Sequence, residues 1–155
     1  MDDRTAAYLE KREYTCIFDR AWDAAVIGEG YAGFSAALAL HNQGQSMLLI
    51  CEHGDLVWES GRAFAPDLGE TDDPAWQSWV GRIGGAGGLA PGYLDGALAE
   101  VEANHRILES GISLLSFALP VDVEREGGRL ASVILATKAG VRRIVAHRFI
   151  DATET

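Results

Sequence analysis

The segment Gly28-Glu29-Gly30-Tyr31-Ala32-Gly33 spaces three glycines as GxGxxG, directly after the apolar run Ala24-Ala25-Val26-Ile27. A nucleotide pyrophosphate gives each glycine a task. Gly28 makes the sharp exit from a strand, Gly30 lets the backbone approach the phosphates, and Gly33 lets the following helix pack closely on that strand. Glu29 lies within the same turn. A helix starting here presents unpaired N–H groups and about half a positive charge to an anion. The second chemical group is Glu52, which closes the apolar run Met47-Leu48-Leu49-Ile50-Cys51. A carboxylate at that place accepts hydrogen bonds from the hydroxyls of an adenosine ribose and repels a 2′-phosphate, so NADP is disfavoured. GxGxxG by itself also marks ordinary strand-to-helix turns. Here a strand precedes it, a helix follows, and an acid ends the next strand, which favours an ADP moiety. These residues leave NAD and FAD open.

The elements that must hold this turn follow from the apolar pattern. Ala24–Ile27 and Met47–Cys51 read as buried strands, and Phe34–Leu40 as a small-residue helix that Gly44 ends. Together they form one parallel βαβ unit. Asp73-Pro74 supplies an N-cap and first helical position for AWQSWVGRI, whereas 81–88 is too glycine-rich for regular structure and reads as a flap or a connector. Pro91 is expected to open a third helix reaching about Ser110, with Leu94, Ala97, Leu98, Val101, His105 and Leu108 tracing one face. Gly111 stops it, and 112–117 reads as a third parallel strand. Residues 121–126, 130–137 and 141–146, joined at Gly127-Gly128 and Ala139-Gly140, form an antiparallel meander. The expected organisation is a polar leader over 1–20, with a short strand at 14–18, and one α/β domain over 21–155. That domain includes an irregular Gly- and Trp-containing stretch over 53–92.

Four pieces of the chain, AVIGEGYAG, LLICEHGDL, VDVEREGGRLASVILATKAGVRRI and AHRFIDAT, resemble the FAD-dependent oxidoreductases of the glutathione-reductase-like fold. They resemble most the branch whose FAD domain carries a meander followed by an "IDATGD" strand. The resemblance implies a Rossmann-like FAD/NAD(P)-binding domain, with a parallel sheet, helices and a three-stranded meander. The meander shifts the choice from NAD to FAD. It also implies roles: Gly28, Gly30 and Gly33, with Glu29 among them, at the pyrophosphate; Glu52 at the ribose; His53 near the ribose or adenine; the Val121 backbone near the adenine; Ala152 and Thr153 beside the cofactor. The sequence departs from the family where Gly-Asp would follow Ala152-Thr153, because Glu154-Thr155 stands there. The family places a substrate domain and a second FAD segment, which supplies another strand of the sheet, beyond this point, and the chain is expected to lack both.

No catalytic acid–base pair, nucleophile motif or metal-ligand spacing stands out. His41, His105 and His147 are scattered. Arg62 is placed to face a reduced flavin or a substrate carboxylate, with a solvated loop arginine as the alternative. Trp58, Trp76 and Trp79 suit either ring stacking or the core. The 155 residues carry a formal net charge of −10, which argues against nucleic acid. Cys16 and Cys51 do not make a disulfide framework, and Cys51 reads as a buried free thiol. No run approaches the ~18–20 apolar residues of a membrane span, and the charged N-terminus is not a secretory signal. The cytoplasm is the expected compartment, and the resemblance implies a flavoprotein, the FAD-binding portion of an oxidoreductase that passes hydride from a small-molecule substrate to flavin. A partner chain or self-association is expected to complete the sheet. The alternatives are a non-catalytic nucleotide-binding or assembly module that docks a partner, and an NAD(H)-binding domain.

Overall fold

The computed structural model describes residues 14, 16–63 and 72–153. Strands β1 (Ala24–Ile27), β2 (Met47–Ile50), β5 (Ser113–Leu115) and β9 (Phe149–Asp151) form a parallel sheet in the order β5-β2-β1-β9. Strands β6 (Ala118–Glu126), β7 (Arg129–Thr137) and β8 (Gly140–Val145) form the antiparallel meander. The protein is thus an α/β Rossmann-like domain with an added meander. It matches the class expected from the glycine turn and the strand pattern.

Both faces of the central strands β1 and β2 are buried, which is why these two are continuously apolar. Side chains alternate between two cores. Ala24, Val26, Met47 and Leu49 face helices α1 (Tyr31–His41), α3 (Pro74–Gly85) and α4 (Gly96–Ser110), together with Phe34, Trp79 and Ile83. Ala25, Leu48 and Ile50 face the meander through Val133, Leu135 and Ile144, with Trp22 closing that side. Each large side chain removed from water this way contributes about 1.5–3 kcal/mol.

Three expectations need correction. Helix α3 runs through Gly85 despite its glycines, because Trp79 and Ile83 anchor it in the core and Arg82 clamps it to Glu102 and Glu109 of α4. Residues 81–88 are therefore mainly helix end rather than a flap. Pro91 opens no helix: it sits in the turn between β3 (Leu89–Ala90) and β4 (Tyr93–Leu94), and Asp95 caps α4 by accepting from the Leu98 N–H. The buried face of α4 is Ala99, Ala103 and Ile107, whereas Val101 and Leu108 are 45% and 78% exposed. Close approach decides this orientation: a Cβ at Gly96 would lie 2.2 Å from the Ser60 carbonyl oxygen.

Gly44, at φ 80°, ends the α1 turn as its position suggested. The expected strand at 14–18 is reduced to a bridge between Cys16 and Arg143, followed by one between Trp22 and Ala146. Residues 1–13 of the leader, Thr15, the stretch 64–71 and Glu154-Thr155 lie outside the described residues.

Candidate functional site

A cavity of about 220 Å³ opens at the carboxyl ends of β1, β2 and β9. It is lined by Gly28, Glu29 and Gly30 from the β1–α1 turn, by Glu52 and His53 after β2, and by Trp58 and Arg62. Pro120, Ala152 and Thr153 complete it. This is the place where parallel α/β sheets bind ligands, beyond the strand ends at a switch in strand order. The switch is visible here: the chain leaves β1 for β2 on one side, and β9 returns to the other.

The glycine turn is held by steric necessity. Gly28 has φ 134°, and a Cβ there would lie 2.1 Å from the Ala152 carbonyl oxygen. A Cβ at Gly33 would lie 2.0 Å from the Gly28 carbonyl oxygen, so α1 can seat against the turn only without one. Gly30 is the helix N-cap in extended backbone. The first helical N–H, that of Tyr31, donates to Glu59 Oε1 at 2.8 Å. This terminus therefore already attracts an anionic oxygen from within the chain.

Glu29 is the organising residue, although its position in the glycine pattern assigns it no distinct task. Its side chain is only 8% exposed. Its carboxylate accepts from the Glu52 N–H at 2.6 Å and the His53 N–H at 3.3 Å, and contacts His53 Nδ1 at 2.5 Å. Its backbone carbonyl accepts from the Val57 N–H at 2.7 Å. One residue thus ties the β1–α1 turn to the loop leaving β2. Val57 sits in the left-handed region at φ 51°, a conformation that costs a β-branched residue about 1–2 kcal/mol. Its full burial and the Glu29 bond hold it there. The available signal was an acid between two glycines facing a strand end, but only the fold shows which loop comes within reach.

The single helical turn α2 (Trp58–Gly61) brings in the remaining groups. Arg62 Nε lies 3.2 Å from Asp55, Arg62 Nη2 lies 4.0 Å from Glu29, and the guanidinium is 5.4 Å from the centre of the Trp58 ring. Glu29, His53 and Asp55 each bring a donor atom within 4.8 Å of the others, and the cation that faces them is Arg62. The Tyr31 hydroxyl bonds Ser60, and burial raises it above the ordinary phenol range. Burial, reinforced by Glu29 and Asp55, pushes the Cys51 thiol up to about 12, so this free cysteine stays protonated. A second cavity of about 480 Å³ shares Arg62 with the first, is lined also by Asp55, and reaches Glu100, whose carboxyl is raised by burial and then by Asp55.

Glu52 is exposed on the cavity rim. Val121 is 52% exposed, and its neighbour Pro120 lines the cavity. Trp79 belongs to the core, with Trp76 against it and against Tyr31. His41, His105 and His147 do not line the cavity.

A family model for FAD dependent oxidoreductases matches residues 23–155. The chain belongs to that family. FAD is the family's cofactor, and oxidoreduction is its chemistry. Many solved structures share the fold, three of them as follows. The bacillithiol disulfide reductase of Bacillus cereus has a TM-score of 0.61 and 17% identity, over 86% of this chain and 40% of that one. The THI4 protein of Thermovibrio ammonificans has a TM-score of 0.59 and 16% identity, over 97% and 62%. The L-proline dehydrogenase of P. horikoshii has a TM-score of 0.55 and 22% identity, over 92% and 24%. At these identities the likeness is one of fold. The chain spans less than two thirds of each of these relatives. No curated protein matches the sequence significantly.

The cleft fits the ADP end of FAD in two respects: the glycines at 28 and 30 line it with no side chain, and an acid stands on the rim at the second strand end. Against that, the first amide of α1 is taken by the chain's own Glu59. No helix among the described residues is long and apolar enough to cross a membrane.

Proposed function

We propose that the chain is the ADP-binding portion of a cytoplasmic flavin-dependent oxidoreductase of the glutathione-reductase-like branch. In this reading Gly28, Gly30 and Gly33 hold the pyrophosphate, and Glu52 accepts from the adenosine ribose. His53 lies near the sugar, with the Val121 backbone, Ala152 and Thr153 along the cofactor. FAD supplies the redox chemistry, taking hydride from a small-molecule substrate. The protein's part is to bind, orient and tune. Arg62 contributes positive charge facing the cavity, and the buried Glu29 carboxylate keeps the two loops in register.

The observation that carries the reading is the cavity at the strand switch, with the crowded Gly28 turn on one side and Glu52 on the other. Strand β9 is terminal in the sheet and pairs only with β1 among the described residues. Its open edge supports completion by a further strand, from a partner chain or a second copy. The second reading is a non-catalytic assembly module that docks a partner chain, favoured by the Glu59 carboxylate that already occupies the α1 terminus where a phosphate would sit.

Purified protein that is yellow, or becomes so with added FAD, supports the proposal. Protein that takes up neither FAD nor NADH overturns it, and tighter binding of NADH reassigns the cofactor. Glu52→Ala should weaken FAD binding by about 1–3 kcal/mol, the loss expected for hydrogen bonds to a charged group. Unchanged affinity removes Glu52 from the ribose.

A further inference from the structure

A third cavity, of about 420 Å³, shares no lining residue with the cofactor cleft. Three pieces of chain border it: Cys16 and Ile17 ahead of β1, Leu115 to Phe117 leaving β5, and the β7–β8 turn with Arg142 beyond it. Phe117 stands in the left-handed region at φ 58°, where the chain passes from β5 into β6, and its ring is left half exposed. The β7–β8 turn is fixed by Thr137, whose hydroxyl donates to the Gly140 carbonyl at 2.7 Å and accepts from the Ala139 N–H at 3.2 Å. That turn carries Lys138, whose Nζ lies 4.0 Å from the centre of the Phe117 ring. Arg142 is half-buried and donates from Nη1 to the Val141 carbonyl at 3.0 Å, its one hydrogen bond among the described residues.

The charge of this cavity opposes that of the chain. The protein carries a formal net charge of −10, yet the lining holds Lys138 and Arg142 and no acid. Among the described residues neither cation is in a salt bridge, whereas the neighbouring Arg143 is matched by Glu124 at 3.4 Å. The rest of the wall is largely apolar, through Ile17, Leu115 and Phe117. A concave, mostly apolar cavity with a few convergent polar groups is the usual form of a small-molecule site. A guanidinium offers paired N–H groups that match the two oxygens of a carboxylate, and an ammonium adds a point charge beside it.

We propose that this cavity binds a small organic carboxylate with an apolar body. Arg142 and Lys138 hold the carboxylate, and the body lies against Ile17, Leu115 and the Phe117 ring. Inorganic phosphate satisfies the cations and leaves the apolar wall bare; a neutral alcohol does the reverse. The site stands apart from the cofactor cleft, so its test does not depend on the ADP-binding reading.

The experiment titrates the full chain with hexanoate, inorganic phosphate and hexanol by calorimetry, and follows iodoacetamide labelling of Cys16 at each saturation. Cys51 is buried and stays silent, so the label reports on this cavity. Hexanoate should bind with a Kd of about 1 mM or tighter and slow the labelling several-fold. Phosphate and hexanol should bind at least about ten-fold more weakly. Arg142→Met and Lys138→Met keep the apolar stems and should each weaken hexanoate, Arg142→Met by about ten-fold or more. Arg129→Met, on the β6–β7 turn, should leave it unchanged; circular dichroism confirms that each variant is folded. Hexanoate that gives neither heat nor protection in wild type overturns the proposal. So does hexanoate affinity unchanged in both Arg142→Met and Lys138→Met. Phosphate or hexanol binding as tightly as hexanoate overturns the assignment of an organic carboxylate.

Discussion

Replacing Gly28 by alanine combines two penalties that other glycines of this chain carry singly. At Gly111, φ is 76° and a Cβ would meet nothing within 4 Å, so Gly111→Ala isolates the cost of left-handed backbone, about 1–2 kcal/mol. At Gly33 the Cβ would lie 2.0 Å from the Gly28 carbonyl oxygen. Gly33→Ala therefore isolates overpacking, about 1–3 kcal/mol, toward the upper end because a backbone carbonyl cannot rotate away. Gly28 carries both, with φ 134° and a Cβ 2.1 Å from the Ala152 carbonyl oxygen. Gly28→Ala should then lose about 2–5 kcal/mol, a large share of a typical domain's stability. At about 2–4 °C per kcal/mol for a domain of this size, its Tm should fall by roughly 10 °C, against about 3–6 °C for Gly111→Ala. Thermal unfolding at one scan rate, with urea midpoints as a second measure, gives the order Gly111→Ala, Gly33→Ala, Gly28→Ala. Equal losses in Gly28→Ala and Gly111→Ala would refute the steric argument, because the Ala152 contact would then carry no penalty.

Two further outcomes are expected. The Asp23 carboxyl is held below its ordinary range, first by the Ser46 backbone N–H and then by the Ser46 hydroxyl. A carboxyl depressed in the folded state stabilises fully above its unfolded value of about 3.9, and that contribution fades as pH falls through the lower folded value. Asp23→Asn should therefore be less stable than wild type at neutral pH, and the two should converge in acid. A urea-midpoint difference that stays constant from about pH 7 to pH 3 contradicts this. Cys51, with its thiol pushed up to about 12 by burial, should resist a thiol reagent at pH 8 in native protein, while half-buried Cys16 reacts. One thiol should titrate in buffer and two in denaturant; two in buffer means that the β2 end opens readily.

The βαβ unit and the meander are legible from local pattern, because their apolar runs, glycines and turn pairs are all decided within a few residues. The site is legible only in its strand-end components. Gly28, Gly33 and Glu52 announce themselves by type and spacing. Glu29 does not, since its value comes from a loop more than twenty residues away that folds back onto its carboxylate. The same reason explains the misplaced face of α4. Val101 and Leu108 are as apolar as a core residue, yet small Ala99 and Ala103 face inward because Gly96 meets Ser60 too closely for another orientation. Helix α3 survives its glycines through Trp79, Ile83 and the Arg82 clamp, contacts that no propensity encodes.

Strand β9 pairs Ala25 with Phe149 and Ile27 with Asp151, joining opposite ends of the described chain. Closing so long a loop is entropically slow, so this pairing belongs among the later steps of folding. Ala152 and Thr153 wall the cavity only once that has happened. A nascent polypeptide still lacking them has the glycine turn but only part of the cleft. A ligand that prefers the finished cleft would then act as a latch, slowing the release of the last strand to dock.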